Sequence, residues 1–225
     1  MSAFFVTATG TDIGKTFVAS GLIRHWRAAG RQVEALKPVA TGFDPASAAA
    51  SDAGVLLTAL GRPVTPAEID RISPWRFAAP LSPDMAAERE KRSVDFDALV
   101  QFSRNAVEAN SDVLLIEGIG GVMVPLDESH TVLDWMIALN IPLLLVTGSY
   151  LGSLSHTLTA LDVLARRGLA VKAVVVNETP GSTVTIESTI GTLAGLACAI
   201  PIAGMRRMVA ESAQAFSPIA KQLES

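Results

Sequence analysis

The sequence is poor in features that mark secreted, membrane-spanning and nucleic-acid-binding proteins. A single cysteine, Cys198, cannot form an internal disulfide, and three scattered histidines argue against a zinc site. Eighteen lysines and arginines stand against 22 acidic residues without a basic tract, so we expect no nucleic-acid partner. No apolar run approaches the ~18 residues that span a bilayer, and no basic region precedes the N-terminal apolar run. These absences predict a soluble, cytoplasmic protein without a membrane partner.

The composition is that of a folded α/β protein. Apolar residues make up 49% of the 225 residues and charged residues 18%, which excludes intrinsic disorder. Short apolar runs rich in β-branched residues alternate with longer amphipathic segments, a pattern typical of βαβ units around a buried parallel sheet. The sequence therefore predicts one doubly wound α/β domain over residues 1–225, with a mostly parallel sheet.

The apolar pattern also predicts where the individual elements lie. The predicted strands are Ala3–Thr7, Val33–Lys37, Val113–Glu117, Pro142–Thr147, Val171–Asn177 and Ile200–Ala203. The predicted helices are Lys15–Ala29, Asp95–Ala109, Ser153–Arg167 and Thr183–Ala197, two of them followed by a glycine that marks a helix end. Residues Thr41–Glu90 are proline-rich and show no sheet pattern of their own, so we predict an elaborated connection there rather than a separate domain.

A candidate phosphate-binding loop lies between the first predicted strand and the first helix. The segment runs from Val6 to Thr16 and ends in Gly14-Lys15-Thr16, with Thr9 where the strict G-x-x-x-x-G-K-[ST] pattern requires glycine. In such a P-loop, unpaired amides and the helix dipole bind phosphate, the lysine adds charge, and the threonine hydroxyl can ligate Mg²⁺. The candidate nucleotide-binding residues of the loop are Asp12, Ile13, Gly14, Lys15, Thr16 and Phe17.

A second candidate site residue ends the third predicted strand. Glu117 follows an apolar run and precedes the turn Gly118-Ile119-Gly120-Gly121. In nucleotide enzymes of this architecture, a carboxylate at the end of a neighbouring strand supplies a second Mg²⁺ ligand. Together with the phosphate loop, it predicts an ATP site of the P-loop NTPase type, with Glu117, Gly118, Ile119 and Gly120 beside the phosphates.

Over nearly its whole length the chain resembles the dethiobiotin synthetase family. Its segments match the family's motifs K-P-V-x-[ST]-G, S-D-A, F-x-x-P-x-S-P, E-G-A-G-G and L-G-x-[IL]-[NS]-H in the same order. The matching segments are Lys37–Gly42, Ser51–Ala53, Phe77–Pro83, Glu117–Gly121 and Leu151–His156, and Asn177 falls on the asparagine of a late strand.

The resemblance implies a reaction and a set of roles. The family closes a cyclic urea on 7,8-diaminononanoate with CO₂ and ATP, through a carbamate and a carbamic-phosphoric anhydride. Fixed cations are then the main catalytic need, and Lys37 and Lys15 are the candidate catalytic residues. The remaining candidates are Thr16, Asp52 and Glu117 for Mg²⁺, Asn177 with Asp52 for the nucleotide, and Thr41, Gly152 and Ser153 for the diamine. Because the family takes the Gly152–Ser153 loop from a partner subunit, a homodimer is implied.

The chain departs from the family pattern at several positions. Ala8 stands where the family's loop usually has glycine, Asp12 where it commonly has glutamate, and Ile119 where it has a small residue. The chain has Gly204-Met205-Arg206-Arg207 in place of G-x-I-P near the base, which leaves the base selectivity open. His156, in the first turn of a predicted helix, is interpreted as a packing or capping group.

Two other functions fit parts of the same pattern. One is a related P-loop amidoligase, although such enzymes usually carry a glutaminase domain with a nucleophilic cysteine, and after residue 203 this sequence has room for about one helix and no cysteine. The other is a partition-type regulatory ATPase, although those place an extra lysine five residues before the loop lysine, where this sequence has Gly10. The dethiobiotin-forming ligase is the prediction that accounts for most motifs.

Overall fold

Six parallel strands form the central sheet of the computed structural model, which describes residues 1–197, 199–206 and 212–224. The strands are β1 Ser2–Ala8, β2 Val33–Leu36, β5 Val113–Glu117, β6 Leu143–Gly148, β7 Val171–Asn177 and β8 Ile202–Met205. They lie in the order β2-β5-β1-β6-β7-β8. The chain leaves β1 toward β2 on one side and later crosses to β6 on the other, which is the doubly wound arrangement.

Helices follow the strands and pack on the sheet. They are α1 Lys15–Ala28, α2 Asp52–Ala59, α3 Pro66–Ile72, α4 Pro83–Arg89, α5 Phe96–Ala109, α6 Val132–Leu139, α7 Ser153–Arg166, α8 Ile186–Leu196 and α9 Ser217–Glu224. All predicted strands and helices are present, with ends that shift by about three residues at most. Nowhere in the described ranges is a helix both long and apolar enough to cross a membrane.

Two central strands, β5 and β6, are buried along their whole length because helices cover the sheet. Every residue of β5 and of β6 is buried, which explains why these strands read as continuous apolar runs. Phe5 of β1 meets Trp135 of α6 edge to face with ring centroids 4.8 Å apart. The indole N–H of Trp135 donates to Ser103 Oγ at 3.2 Å, so this large side chain leaves no unpaired donor in the core.

The connection over residues 41–90 differs from the prediction in one respect. The short strands β3 Val39–Thr41 and β4 Trp75–Phe77 pair in parallel and form a second, two-stranded sheet, so the prediction of no sheet there was wrong. Strands of three residues are too short to show an alternating pattern, and a distant partner decides their conformation. The rest of the connection holds a 3₁₀ segment, Pro45–Ala50, and the helices α2, α3 and α4.

The described C-terminal residues pack against α1. Phe216, in the 3₁₀ segment Ala213–Phe216, is fully buried and lies over Gly21 in the middle of α1. A Cβ added at Gly21 would come within 1.9 Å of the Phe216 ring. The absence of a side chain at Gly21 therefore lets the C-terminal segment approach the helix.

We predict that Gly21→Ala lowers the free energy of unfolding by about 1–2 kcal/mol. Alanine favours a helix by about 1 kcal/mol over glycine, but overpacking a core costs about 1–3 kcal/mol, and the clash with Phe216 outweighs the propensity. Urea unfolding measures the difference. Gly191 of α8 is the matched control, because a Cβ there meets nothing within 4 Å, and Gly191→Ala should be neutral or stabilising. Equal effects at both positions would contradict the close approach.

Candidate active site

The candidate site lies where the carboxyl ends of the parallel strands meet, at the point where the strand order reverses around β1. The phosphate loop joins β1 to α1, and Gly14 adopts a left-handed conformation with φ of 100°. A Cβ at Gly14 would lie 2.1 Å from Asn177 Nδ2, which donates to Ile13 O at 2.8 Å. Asn177, at the end of β7, thus fixes the loop and requires glycine at position 14.

Lys15 begins α1 and is buried beneath the loop. Its ammonium donates to Gly120 O at 2.7 Å and to Gly10 O at 3.3 Å. Burial, and then the positive charge of Lys37, lower the pKa of Lys15 to about 8. The direct partners of this cation are neutral carbonyls, so an arriving anion would supply the missing counter-charge.

Three oxygen atoms converge beside Lys15. Thr16 Oγ1 lies 2.8 Å from Asp52 Oδ1 and 2.7 Å from Glu117 Oε1. One hydroxyl proton can serve only one of these two contacts. Glu117 is buried, and its second oxygen, Oε2, has no hydrogen-bond partner among the described residues. Hard oxygen ligands in this arrangement fit Mg²⁺. A bound Mg²⁺ would offset the close approach of two oxygens at the contact for which the Thr16 hydroxyl has no proton.

Lys37 lies behind this oxygen cluster, directly after β2. Its buried ammonium donates to Glu117 Oε1 at 2.7 Å and to Gly118 O at 2.9 Å, and lies 2.9 Å from Asp52 Oδ2. Burial alone would lower the pKa of Lys37, but the attraction of Glu117 and Asp52 outweighs burial and raises it. Burial likewise favours protonated Asp52, yet the charge and hydrogen bond of Lys37 keep the pKa of that carboxyl below its usual value. Both groups are therefore charged at neutral pH.

A cavity of about 490 Å³ opens next to Lys15 and Thr16. Eight predicted site residues line it: Asp12, Gly14, Lys15, Thr16, Thr41, Asp52, Ile119 and Gly120. Beneath them lie Lys37, Glu117 and Gly118. Thr16, which bonds to Asp52, also bonds to Glu117, while the Lys37 ammonium contacts Asp52 and donates to Gly118 O. The structure therefore brings together the phosphate loop, the strand-end carboxylate and both lysines.

Five other predicted site residues do not line this cavity: Ile13 and Asn177, which bond to each other behind the phosphate loop, and Phe17, Gly152 and Ser153, which lie away from it. The side chain of Phe17 points toward the C-terminal segment, with its ring 6.0 Å from that of Phe216. Gly152 and Ser153 begin α7 after β6 and do not line the cavity that contains Thr41. Ser153 is buried, and its hydroxyl oxygen has no partner among the described residues.

The cavity also contains residues that were not among the candidate site residues, among them Phe43 and Ser51. The Ser51 hydroxyl accepts from the Gly54 N–H at 3.1 Å and so caps α2, which places Asp52 in the first turn. The sequence signal for Ser51 was its place beside Asp52 before an apolar run. Phe43 had no such signal, because only the tertiary structure brings it next to the loop.

The family departures have clear positions in the structure. Asp12 has a φ of 56°, and aspartate tolerates the left-handed region better than most residues. Ile119 lines the cavity and packs against the core. In the segment that replaces G-x-I-P, Arg206 forms an ion pair with Glu187 of α8, whereas Arg207 lies outside the described residues, as does Cys198. His156 has a hydrogen bond between its Nδ1 and Tyr150 Oη at 2.9 Å.

Comparisons with known proteins agree with this site. A family model described as an AAA domain matches residues 2–218. A relative from Acidiphilium cryptum, named ATP-dependent dethiobiotin synthetase BioD, is 53% identical over 190 residues that cover 84% of this chain and 85% of that protein. A protein of the same name from Phenylobacterium zucineum is 52% identical over 195 residues, 84% of this chain and 83% of that protein.

Solved structures share the fold at low identity. The cell division ATPase MinD from Pyrococcus furiosus aligns with a TM-score of 0.57 and 18% identity, covering 100% of this chain and 99% of that one. MinD from Pyrococcus horikoshii, solved with Mg-ADP, aligns with a TM-score of 0.58 and 18% identity, covering 100% and 96%. These likenesses confirm the P-loop α/β fold and nothing more specific.

The sequence relatives decide between the functions that the fold allows. About half of the aligned residues are identical to those of the dethiobiotin synthetases, whereas the MinD structures share only the fold with this chain. The predicted ligase is therefore confirmed over the regulatory ATPase at the level of family. The chain belongs to the family of ATP-dependent dethiobiotin synthetases, which are ATP-binding ligases of biotin biosynthesis.

Proposed function

We propose that the chain is a Mg²⁺-dependent cyclo-ligase that forms the ureido ring of dethiobiotin from 7,8-diaminononanoate, CO₂ and ATP. The observation that carries the proposal is the buried Lys37 ammonium between Asp52 and Glu117, next to a cavity lined by Lys15 and Thr41. Two lysines beside one cavity suit a reaction in which negative charge moves between oxygens. The enzyme would work in the cytoplasm.

The proposed reaction has three steps, each of which moves an electron pair onto oxygen or nitrogen. One amine of the diamine adds to CO₂ and loses a proton, which gives a carbamate. A carbamate oxygen attacks the γ-phosphorus of ATP, so that the bond to ADP breaks and a carbamic-phosphoric anhydride forms. The second amine then attacks the carbonyl carbon, loses its proton and expels phosphate as the ring closes.

The two lysines would act at different places in this sequence. Lys15 lies under the phosphate loop and would bind the β- and γ-phosphates, whose charge offsets its burial. Lys37 lies one strand further, where its ammonium would contact the carbamate and the transferred phosphoryl group. Its carboxylate partners keep it charged, so a fixed cation is in place before the reaction starts.

Thr16, Asp52 and Glu117 would hold the Mg²⁺ ion. Their converging oxygens and the unpartnered Glu117 Oε2 support this assignment. When bound, Mg²⁺ supplies positive charge to the phosphate oxygens. The nucleotide itself would contact the amides of Asp12 to Phe17, the turn Gly118–Gly120 and Asn177, whose Oδ1 is buried without a partner among the described residues.

The diamine would be bound from two sides. Thr41 offers a hydroxyl inside the cavity. The start of α7 offers helix amides and the Ser153 hydroxyl, which have no side-chain cap and no partner, respectively, in the described part of the chain. Gly152 and Ser153 do not line the cavity of their own chain, and the neighbouring Leu151 is 91% exposed. We therefore propose a homodimer of single-domain subunits, in which the start of α7 completes the site of the partner and binds the distant carboxylate.

Phosphate release tests the proposed reaction. We expect release of phosphate from ATP to require both 7,8-diaminononanoate and bicarbonate, because the γ-phosphoryl group has no acceptor until the carbamate forms. The measurement is phosphate production with each component omitted in turn, together with detection of the cyclic urea by mass spectrometry. Equal phosphate release without diamine would indicate a simple ATPase and contradict the proposal.

Separate substitutions distinguish the two lysines. Lys15→Ala should abolish nucleotide binding, whereas Lys37→Gln should weaken it modestly and lower kcat by about 10²–10³, because its contact strengthens in the transition state. Calorimetry gives the nucleotide affinity and steady-state assays give kcat.

Lys221→Gln, at an exposed lysine of α9, is the control for these two substitutions. A thermal melt checks the fold, since removing Lys37 leaves two carboxylates facing each other. An unchanged kcat in folded Lys37→Gln would show that Lys37 is not catalytic.

A magnesium titration tests the metal ligands. Glu117→Gln keeps the shape of the side chain but removes a charged oxygen ligand, so we expect the magnesium needed for half-maximal rate to rise roughly tenfold or more. Glu178→Gln, outside the proposed ligand set, should leave the requirement unchanged. If the Glu117→Gln titration overlays that of the wild type, Glu117 serves the fold and not the metal.

A further inference from the structure

Three threonines from three elements form a continuous hydrogen-bonded chain behind the phosphate loop. Thr9, the residue after β1, lies with its hydroxyl 3.2 Å from that of Thr147 in β6. Thr147 Oγ1 lies 2.8 Å from the hydroxyl of Thr157 in α7. The Thr157 hydroxyl in turn donates to Ser153 O at 2.6 Å. We call these residues the hydroxyl chain; Thr147 and Thr157 are fully buried.

The direction of the hydroxyl chain follows from proton counting. Each threonine has one hydroxyl proton. Thr157 uses its proton on the Ser153 carbonyl, which has none to give. Thr147 must therefore donate to Thr157, and Thr9 must donate to Thr147. Each buried hydroxyl thus both donates and accepts a hydrogen bond, and loss of any one hydroxyl interrupts the hydroxyl chain.

The two ends of the hydroxyl chain lie at different binding regions. Thr9 precedes Gly10, whose carbonyl accepts a hydrogen bond from the Lys15 ammonium at 3.3 Å. At the other end, Ser153 is the first residue of α7. When a nucleotide draws the Lys15 ammonium toward its phosphates, the hydrogen bond from Lys15 to the carbonyl of Gly10, the residue next to Thr9, changes. The threonines are therefore placed to link the phosphate loop with the start of α7.

We propose that Thr9, Thr147 and Thr157 are positioning residues that couple nucleotide binding at the phosphate loop to carboxylate binding at the start of α7. The proposal rests on the proposed function, in which α7 binds the carboxylate of the diamine. In a homodimer in which α7 of each subunit completes the site of its partner, the hydroxyl chain joins the nucleotide site of one subunit to the carboxylate site of the other. Nucleotide and diamine then raise each other's affinity, since coupling is reciprocal.

Calorimetry of the diamine, with and without a non-hydrolysable ATP analogue and Mg²⁺, measures this coupling. In the wild type the analogue should tighten 7,8-diaminononanoate binding on the order of tenfold. Thr147→Val and Thr157→Val keep the volume but remove a hydroxyl, and should reduce that factor about fivefold or more. The double variant should lose no more of the coupling than either single variant, because one missing hydroxyl already interrupts the hydroxyl chain. Thr147→Ser retains the hydroxyl and should restore the coupling.

Thr189→Val is the matched control. Thr189 of α8 is also buried, and its hydroxyl donates to the carbonyl four residues earlier, Thr185 O, at 3.0 Å, but it bonds to no other hydroxyl within residues 1–197, 199–206 and 212–224. This variant should lose stability comparable to Thr157→Val and keep the full coupling. Unchanged coupling in folded Thr147→Val, or equal loss in Thr189→Val, would overturn the inference and leave the proposed function intact.

A second ligand separates failure of the inference from failure of the proposed function. A vicinal diamine of the same chain length without a carboxylate should bind the wild type more weakly and show little coupling to the nucleotide analogue. If it binds as tightly as 7,8-diaminononanoate, carboxylate binding at α7 is wrong, and the inference that rests on it is wrong as well.

Discussion

The buried ammonium of Lys37 is the interaction on which the arrangement of the site depends. An isolated charge in a protein interior costs several kcal/mol, so it needs carboxylates at contact distance. Glu117 meets this need from the neighbouring strand β5, and Asp52 meets it from the first turn of α2. The pairing of β2 with β5 and the capping of α2 by Ser51 are therefore conditions for the site as much as features of the fold.

The two lysines of the site have opposite electrostatic surroundings. Lys15 has neutral carbonyls as direct partners, and burial lowers its pKa to about 8. Lys37 has two carboxylates as partners, and its pKa is raised. The Lys15 ammonium gains a counter-charge when an anion binds, whereas the Lys37 ammonium is already paired with two carboxylates and stays in position. This difference allows one lysine to serve nucleotide binding and the other to serve the reaction.

The phosphate loop is held by two neighbouring strands, β6 and β7, that lie on the same side of β1. Asn177 of β7 donates to the Ile13 carbonyl and lies against Gly14, and Thr147 of β6 lies against the hydroxyl of Thr9. These contacts restrain the loop, which lowers the entropic cost of ordering it when phosphate binds. The parallel sheet makes this possible because all strand ends meet at one edge.

The sequence by itself determined the strands of the central sheet, four of the helices and the chemistry that these elements carry. Apolar runs predicted the strands within a few residues, the Gly14-Lys15-Thr16 segment predicted the phosphate loop, and Glu117 was predicted as a strand-end carboxylate. These signals are local, because burial period, helix capping and loop chemistry depend on residues close in sequence. Relatives that are about half identical confirm the family to which those motifs pointed.

Only the tertiary structure decided which side chains touch. No local pattern shows that Lys37 lies between Asp52 and Glu117, that β3 pairs with β4, or that Thr9 reaches Thr147. Each of these contacts joins residues far apart in the chain, and each depends on strand order and helix packing, which single residues do not encode. The sequence thus determined what the site is made of, and the packing of the sheet determined how its charges are paired.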